Sequence, residues 1–385
     1  MTIDKNRNFG LDVMRAIAIA CVVLHHWLPY HFLQIHFLTD YIQNFTVLGY
    51  FGVEVFFVLS GFLIGNIIIK SYYREPRYNP KVVLNFWMRR WLRTLPLYYI
   101  ILLFTLFIAI LKHQHIFGLW RFPLFLQNFE GYDTRNNDFF GVSWSLSIEE
   151  WFYLSFPFFL IFFNFLFKKL LSKQQILLGV VLFYIISQLV LRIAIAEHTS
   201  LTWNNFFRKA VFCREDSIAF GVLGAFIFND YPKLFNDKAN LFALIGVILI
   251  FIGLWIFIKD VALYYSSESD NVSVFSKSIL FSIVGIGVLC MLPYFYLMEI
   301  RSHVIKTCIT FISKISYSLY LIHPIVFHYL IRFLPIKNAL YVVISFLIYI
   351  LVSLILSNIS FNLIEKTFLN YRDKHWKEKR GVKPV

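Results

Sequence analysis

The sequence predicts an all-α, polytopic integral membrane protein of about ten transmembrane helices, with both termini in the cytoplasm. Three observations carry this expectation. Of 385 residues, 59% are hydrophobic and 15% are charged, which is more apolar surface than a water-soluble globule buries. Apolar runs long enough to cross roughly 30 Å of hydrocarbon recur along the chain. Lysine and arginine gather in alternate connecting loops, so the formal charge of +14 reads as the positive-inside bias of a protein facing anionic lipid, and no nucleic-acid surface is needed to explain it.

The runs fall near 11–30, 48–69, 95–111, 146–167, 177–196, 210–229, 240–258, 278–298, 312–334 and 339–361. The first follows a short basic tail containing Lys5 and Arg7, as a signal peptide would. No small-residue cleavage site closes it, so it is expected to stay as a helix. The third is short for a span, and the apolar stretch 116–128 is broken by Arg121 and Pro123, which fits an interfacial or re-entrant segment. With the N-terminus inside, the loops at 70–93, 168–173, 233–238, 301–306 and 366–383 face the cytoplasm and carry most of the Lys and Arg. The longest extracytoplasmic segment, about 112–145, is placed to cover an acceptor site. No internal repeat divides the chain, so one membrane domain over 1–385 is expected, with a transmembrane core of about 11–361 and a basic cytoplasmic tail of about 366–385. Cys21, Cys213, Cys290 and Cys308 lie in or beside apolar runs without metal-ligand spacing, and neither a disulfide framework nor a metal site is expected.

Ionisable groups inside spans are costly and mark candidate sites. The first span reads LDVMRAIAIACVVLHHW and places Arg15 near its cytoplasmic end, followed by His25 and His26. Eleven helical residues rise about 16 Å, which brings the histidine from the inner interface to mid-membrane. Span nine, KISYSLYLIHPIVF, carries His323, and span four opens with SWSLSIEEWFYLSFP, which puts Glu149 and Glu150 in its first turns. Just before span three, FWMRRWLRTLPLYY supplies Arg89, Arg90 and Arg93. Arg90 and Arg93 share a helix face, and such a pair is either ordinary positive-inside charge or an anchor for a phosphorylated ligand. Arginines at the cytoplasmic side and an imidazole deeper in the membrane point to a long donor such as a coenzyme A thioester. In YFGVEVFFVLSGFLIG, Gly61 and Gly65 have the spacing of a close helix contact, while Glu54 lies near the outer interface, where hydration alone would accommodate it, and is assigned no role. On these residues alone, a proton-coupled transporter and a polytopic glycan polymerase or ligase stay open beside an acyltransferase.

Several motifs in order then match a known family. The chain resembles the membrane acyltransferase-3 family through Arg15, ten residues and His26; the glycine- and phenylalanine-rich block 51–65; Arg90 and Arg93 as RxxR; WSLxxE at 144–149; SYxLYLxH at 316–323; and Phe361 with Glu365. The resemblance covers about 10–370. It implies an acyl-CoA-dependent O-acyltransferase, most simply an acetyltransferase, acting on hydroxyls of a cell-surface polysaccharide or glycolipid precursor in the bacterial cytoplasmic membrane. No permanently bound cofactor is implied, because acetyl-CoA or another acyl-CoA is a substrate. The implied catalytic residues are His26 as the base, Arg15 to bind the donor or stabilise developing negative charge, and Glu149 as an orienting group. Arg90 and Arg93 would hold the donor phosphates, and His323 and Glu150 would meet the acceptor. Many relatives carry a C-terminal esterase-like domain. Since the sequence stops after span ten and a basic tail, the expectation is that this domain is missing.

Overall fold

The structure, a computed structural model, describes residues 7–32, 45–75, 80–133, 137–198, 201–264, 271–330, 334 and 339–379. Lys5 and the last residues of the basic tail, 380–385, lie outside them. The described residues contain helices and turns and no strand. The long helices are α1 (Phe9–Phe32), α2 (Thr46–Arg74), α3 (Pro80–Leu111), α4 (Ser143–Phe167), α5 (Lys173–Ile195), α6 (Glu215–Asp230), α7 (Ala239–Ile256), α8 (Leu280–Tyr296), α9 (His303–Tyr329), α10 (Ala339–Ser360) and α11 (Lys366–Lys379). A π-helical turn, Phe361–Glu365, joins α10 to α11.

Among the described residues, eight helices are long and apolar enough to cross a membrane. The chain is thus an all-α polytopic membrane protein. The two spans expected near 210–229 and 278–298 correspond to the shorter helices α6 and α8, of 16 and 17 residues. Span three differs from its expected form. Its helix begins at Pro80, so the arginine-rich stretch read as loop is the first part of α3 itself. The 116–128 stretch contains a 3₁₀ turn at Leu119–Leu124.

The chain divides into two compact units. The first comprises Met1–Tyr78, Phe125–Thr134 and Trp144–Lys314; the second comprises Asn79–Leu124, Arg135–Ser143 and Ile315–Val385. In the first unit, α6 packs on α2, α5 and α8, α1 packs on α2 and α8, and α7 packs on α8. The α2–α6 crossing is close enough to require glycine. A Cβ at Gly61 would lie 1.9 Å from the Ile218 carbonyl oxygen, and one at Gly221 would lie 2.0 Å from that of Val58. Helix α5 starts where Ser172 and Gln175 form a capping box, which satisfies two otherwise orphaned amides.

Because α6 is buried in protein, its polar first turn is tolerated through pairing. Arg192 of α5 donates to Asp216 at 2.6 Å and to the Ser278 carbonyl at 2.9 Å, and both charged side chains are fully buried. Arg214 donates to Glu54 of α2, and Ser217 Oγ donates to the other Glu54 oxygen at 3.0 Å. Glu54 is 0% exposed, so hydration does not accommodate it: its carboxylate is neutralised inside the bundle, where an unpaired charge would cost several kcal/mol.

In the second unit, Tyr98 donates to the Phe122 carbonyl at 2.8 Å and Tyr99 to that of Pro123 at 2.9 Å, which ties the 3₁₀ turn to α3. Tyr317 of α9 donates to the Thr94 carbonyl at 2.7 Å. The Lys112 ammonium sits 4.4 Å from the centre of the Tyr329 ring.

Candidate active site

His26 lies on α1, partly exposed, with Nδ1 3.0 Å from the Val22 carbonyl oxygen one turn earlier. A carbonyl only accepts, so this contact assigns the proton to Nδ1 and leaves the lone pair of the neutral ring on Nε2. His25 turns elsewhere. Its ring lies over α2 at Gly49, where a Cβ would come within 2.4 Å of it, and the two imidazoles meet edge to face at 5.1 Å.

Arg208 and Lys209 are among the charged groups whose field reaches His26. Both follow a π-helical turn, Trp203–Phe207, capped by Thr202, whose side chain accepts from the Asn205 amide. Arg208 is 6% and Lys209 8% exposed. The Arg208 guanidinium lies 4.7 Å from the centre of the Trp144 ring, and Nη1 donates to Asn204 Oδ1 at 3.1 Å. The Lys209 ammonium sits 4.4 Å from the centre of the Tyr132 ring and donates to Asn205 Oδ1 at 3.4 Å. Burial, and then the neighbouring Arg208 guanidinium, pull the Lys209 ammonium down to about 7.

One carboxamide fixes this arrangement. Asn128 Nδ2 donates to the Trp144 carbonyl at 2.9 Å and the Lys209 carbonyl at 2.6 Å, and the main-chain carbonyl of Asn128 accepts from the Val211 amide at 3.2 Å. Nearby, Phe125 holds a positive φ of 56°, an uncommon conformation for a bulky residue. Its carbonyl accepts from Ser147 Oγ and from Trp151 Nε1, the latter at 2.9 Å.

Arg15 stands apart from His26, about 16 Å along the same helix. Its guanidinium donates to Asp12 at 3.5 Å and to Ser313 Oγ at 3.1 Å. Asp12 also receives Arg7 at 2.5 Å and Ser313 Oγ at 2.6 Å. Glu149 of α4 accepts from Tyr153 at 2.5 Å, and the same phenol meets Ser60 Oγ of α2 at 2.5 Å. Glu150 is partly exposed beside it. These four predicted residues, Arg15, His26, Glu149 and Glu150, belong to the first unit.

Arg90, Arg93 and His323 belong to the second unit. Arg89, Arg90 and Arg93 stand on α3 before its apolar stretch, and Arg89 and Arg93 are exposed. The Arg93 charge reaches Glu365, which is 4% exposed and accepts from Ser318 Oγ. His323 is 0% exposed, with Nδ1 2.8 Å from the Leu319 carbonyl oxygen. This is the same tautomer-fixing contact as at His26.

The sequence reading passed over Arg208 and Lys209 as loop charges, and over Arg192, Arg214 and Asp216 altogether. Arg192 carried a usable signal, since it is an arginine inside an apolar run. The cation pair carried none beyond adjacency, because its closeness to His26 is a matter of tertiary packing.

Fold and site together define a polytopic helical membrane protein that holds an imidazole and cationic side chains among its helices. The chain belongs to the acyltransferase-3 family: the family model, described as an acyltransferase domain, matches residues 8–358. It is 27% identical over 377 residues to the O-acetyltransferase OatA of Staphylococcus aureus, covering 92% of this chain and 56% of that protein. It is 29% identical over 188 residues to the peptidoglycan O-acetyltransferase OatA of Listeria monocytogenes, covering 45% of this chain and 26% of that protein. The chain therefore spans about half the length, or less, of these curated relatives. No solved structure matches it.

Proposed function

We propose that the chain is an O-acyltransferase that carries an acyl group, in the first instance acetyl, from acyl-CoA to a hydroxyl of a cell-surface polysaccharide or glycolipid precursor. It would work in the bacterial cytoplasmic membrane with both termini inside. The observation that carries this reading is the His26 imidazole, tautomer set by Val22, beside buried cations. In the proposed reaction Nε2 takes the acceptor's hydroxyl proton as the oxygen attacks the thioester carbonyl, the role of a general base. Arg90 and Arg93 hold the coenzyme A phosphates, for which a pair of guanidiniums on one helix face is suited. The distance of Arg15 from His26 favours donor binding over charge stabilisation at the reacting carbon. Glu149, held by Tyr153, orients the acceptor side, and Glu150 and His323 meet the acceptor. The acceptor class draws support from the relatives, one of which is a peptidoglycan O-acetyltransferase.

Surface glycans are compared by mass spectrometry and NMR in cells with the intact gene, without it, and with His26→Ala. Loss of O-acyl groups in both altered strains, with membrane insertion of the variant intact, is the expected result. General-base removal lowers the rate by about 10²–10⁴-fold. Unchanged O-acylation with His26→Ala sinks the assignment of the base.

A further inference from the structure

A carboxylate in a membrane helix is tolerated where donors converge on it. Asp12, in the first turn of α1 and 3% exposed, gathers three side chains. Arg7 grips both its oxygens, Nε at 3.0 Å and Nη2 at 2.5 Å, Ser313 Oγ of α9 donates to Oδ1 at 2.6 Å, and Arg15 Nη1 reaches the same oxygen at 3.5 Å. A hydroxyl has one proton and two lone pairs, and Ser313 engages all three here, since it also accepts from Arg7 Nη2 at 3.0 Å and from Arg15 Nη1 at 3.1 Å. The platform beneath is equally fixed. Asn8 Oδ1 accepts from the Leu11 amide at 3.0 Å while its Nδ2 donates to the Tyr296 carbonyl at 2.7 Å. A Cβ at Gly10 would come within 1.4 Å of the Phe295 carbonyl oxygen, so the start of α1 is pressed against the end of α8.

We propose that Asp12 and Ser313 are positioning residues that set the Arg15 guanidinium for a phosphate of the acyl donor. The inference rests on the reading of Arg15 as a donor-binding residue given above. A long side chain that must be ordered when its ligand arrives loses rotamer freedom at that moment, and contacts that order it beforehand remove the cost. Arg15 has two such contacts on Nη1, one from its own helix a turn earlier and one from α9. Anchors on two helices fix the plane of the guanidinium, where a partner on α1 alone would let it swing. Asp12 would compete with an anionic ligand if Arg15 were its main partner. The two-nitrogen grip of Arg7 takes up that carboxylate instead, and Arg15 is left at the longer distance of 3.5 Å. The Arg15 side chain keeps 15% of its surface exposed, so an anion can reach the held group. Phosphate suits the planar fork of an arginine, and a coenzyme A thioester presents phosphates.

The test uses membranes opened to both faces and containing the full chain, with radiolabelled acetyl-CoA as the donor and the endogenous membrane acceptor. Transfer is read as base-labile acetate. Asp12→Asn and Ser313→Ala are each expected to raise KM for acetyl-CoA about tenfold, the low end of what one hydrogen bond to a charged group contributes, with kcat within about threefold of the parent. Ser313→Thr keeps the hydroxyl and should restore most of the affinity, which a purely structural loss would not follow. Ser313→Ala removes a single oxygen and carries the test by itself where the Asp12 variant fails to insert. An unchanged KM in Ser313→Ala, a loss confined to kcat, or a Ser313→Thr variant as weak as Ser313→Ala overturns the inference. Arg15→Ala is measured in parallel. If it raises KM or abolishes transfer while Ser313→Ala behaves as the parent, only this inference fails. If Arg15→Ala keeps the parent's KM, or the parent transfers nothing from acetyl-CoA, the reading beneath it fails as well.

Discussion

Two groups of buried cations occupy the first unit, and they are balanced in different ways. Around the first turn of α6, each buried guanidinium meets a carboxylate: Arg192 with Asp216, and Arg214 with Glu54. These pairs join α5 to α6 and α2 to α6, and further hydrogen bonds run from them to hydroxyls and a carbonyl, as with Ser217, Ser282 and Cys213. A few residues earlier, Arg208 and Lys209 sit together, with the ammonium turned to neutral groups. Matched charge holds helices in register and has little left to offer a ligand. The Lys209 ammonium, which meets an amide oxygen and an aromatic face, keeps an attraction for an anion in reserve, and that makes it the better candidate for chemistry.

The comparison can be broken most severely from the matched side. Asp216→Ala strands the Arg192 guanidinium and is expected to cost about 3–5 kcal/mol, seen as a large fall in thermal stability of the detergent-solubilised chain. An apolar double replacement of Arg192 and Asp216 should recover most of that loss. If the single variant unfolds at the parent's temperature, the pair is not structural.

The adjacent cations are sharpened by pH. Lys209, pulled down to about 7, is charged below that value and loses its proton as pH rises through it. The part of kcat/KM that needs the ammonium should therefore fall by about tenfold between roughly pH 6 and 8, since kcat/KM reports groups of the free enzyme. His26, Arg208 and the Tyr132 phenol are titratable or charged groups near it. In Lys209→Arg the guanidinium stays charged, and the alkaline limb should vanish. An unaltered limb in that variant assigns it to another group.

The smallest effect lies again in the matched group. Ser217→Ala removes one hydrogen bond to Glu54 while the Arg214 pair remains. About 1.5 kcal/mol of stability should go, with transfer activity unaffected. A loss of activity at equal stability would bring the α6 turn into the site.

The helices themselves were legible from hydropathy, because lipid leaves the backbone little alternative to helix. What hydropathy obscured is instructive. The charged residues Arg89, Arg90 and Arg93 made the start of α3 look like loop, although a helix tolerates them once it leaves the hydrocarbon. Glu54 could be given no role because its partner, Arg214, lies 160 residues away. His26 and Arg15 could be picked out by spacing and resemblance, and Glu149 by its motif. Tyr153, Ser60, Arg208 and Lys209 could not, since each matters only through a neighbour brought to it by packing.

Asn128 sets a timetable for biosynthesis. Its carboxamide donates to Lys209, 81 residues further along, so at about 5–20 residues per second the ribosome needs roughly 4–16 s to deliver the partner. Through that interval the segment ahead of α4 must keep a polar side chain waiting that later becomes fully buried. The contacts around Lys209 are therefore assembled late, after α5 is made, and a nascent chain stalled before Lys209 has a completed α1 but leaves Asn128 without this partner.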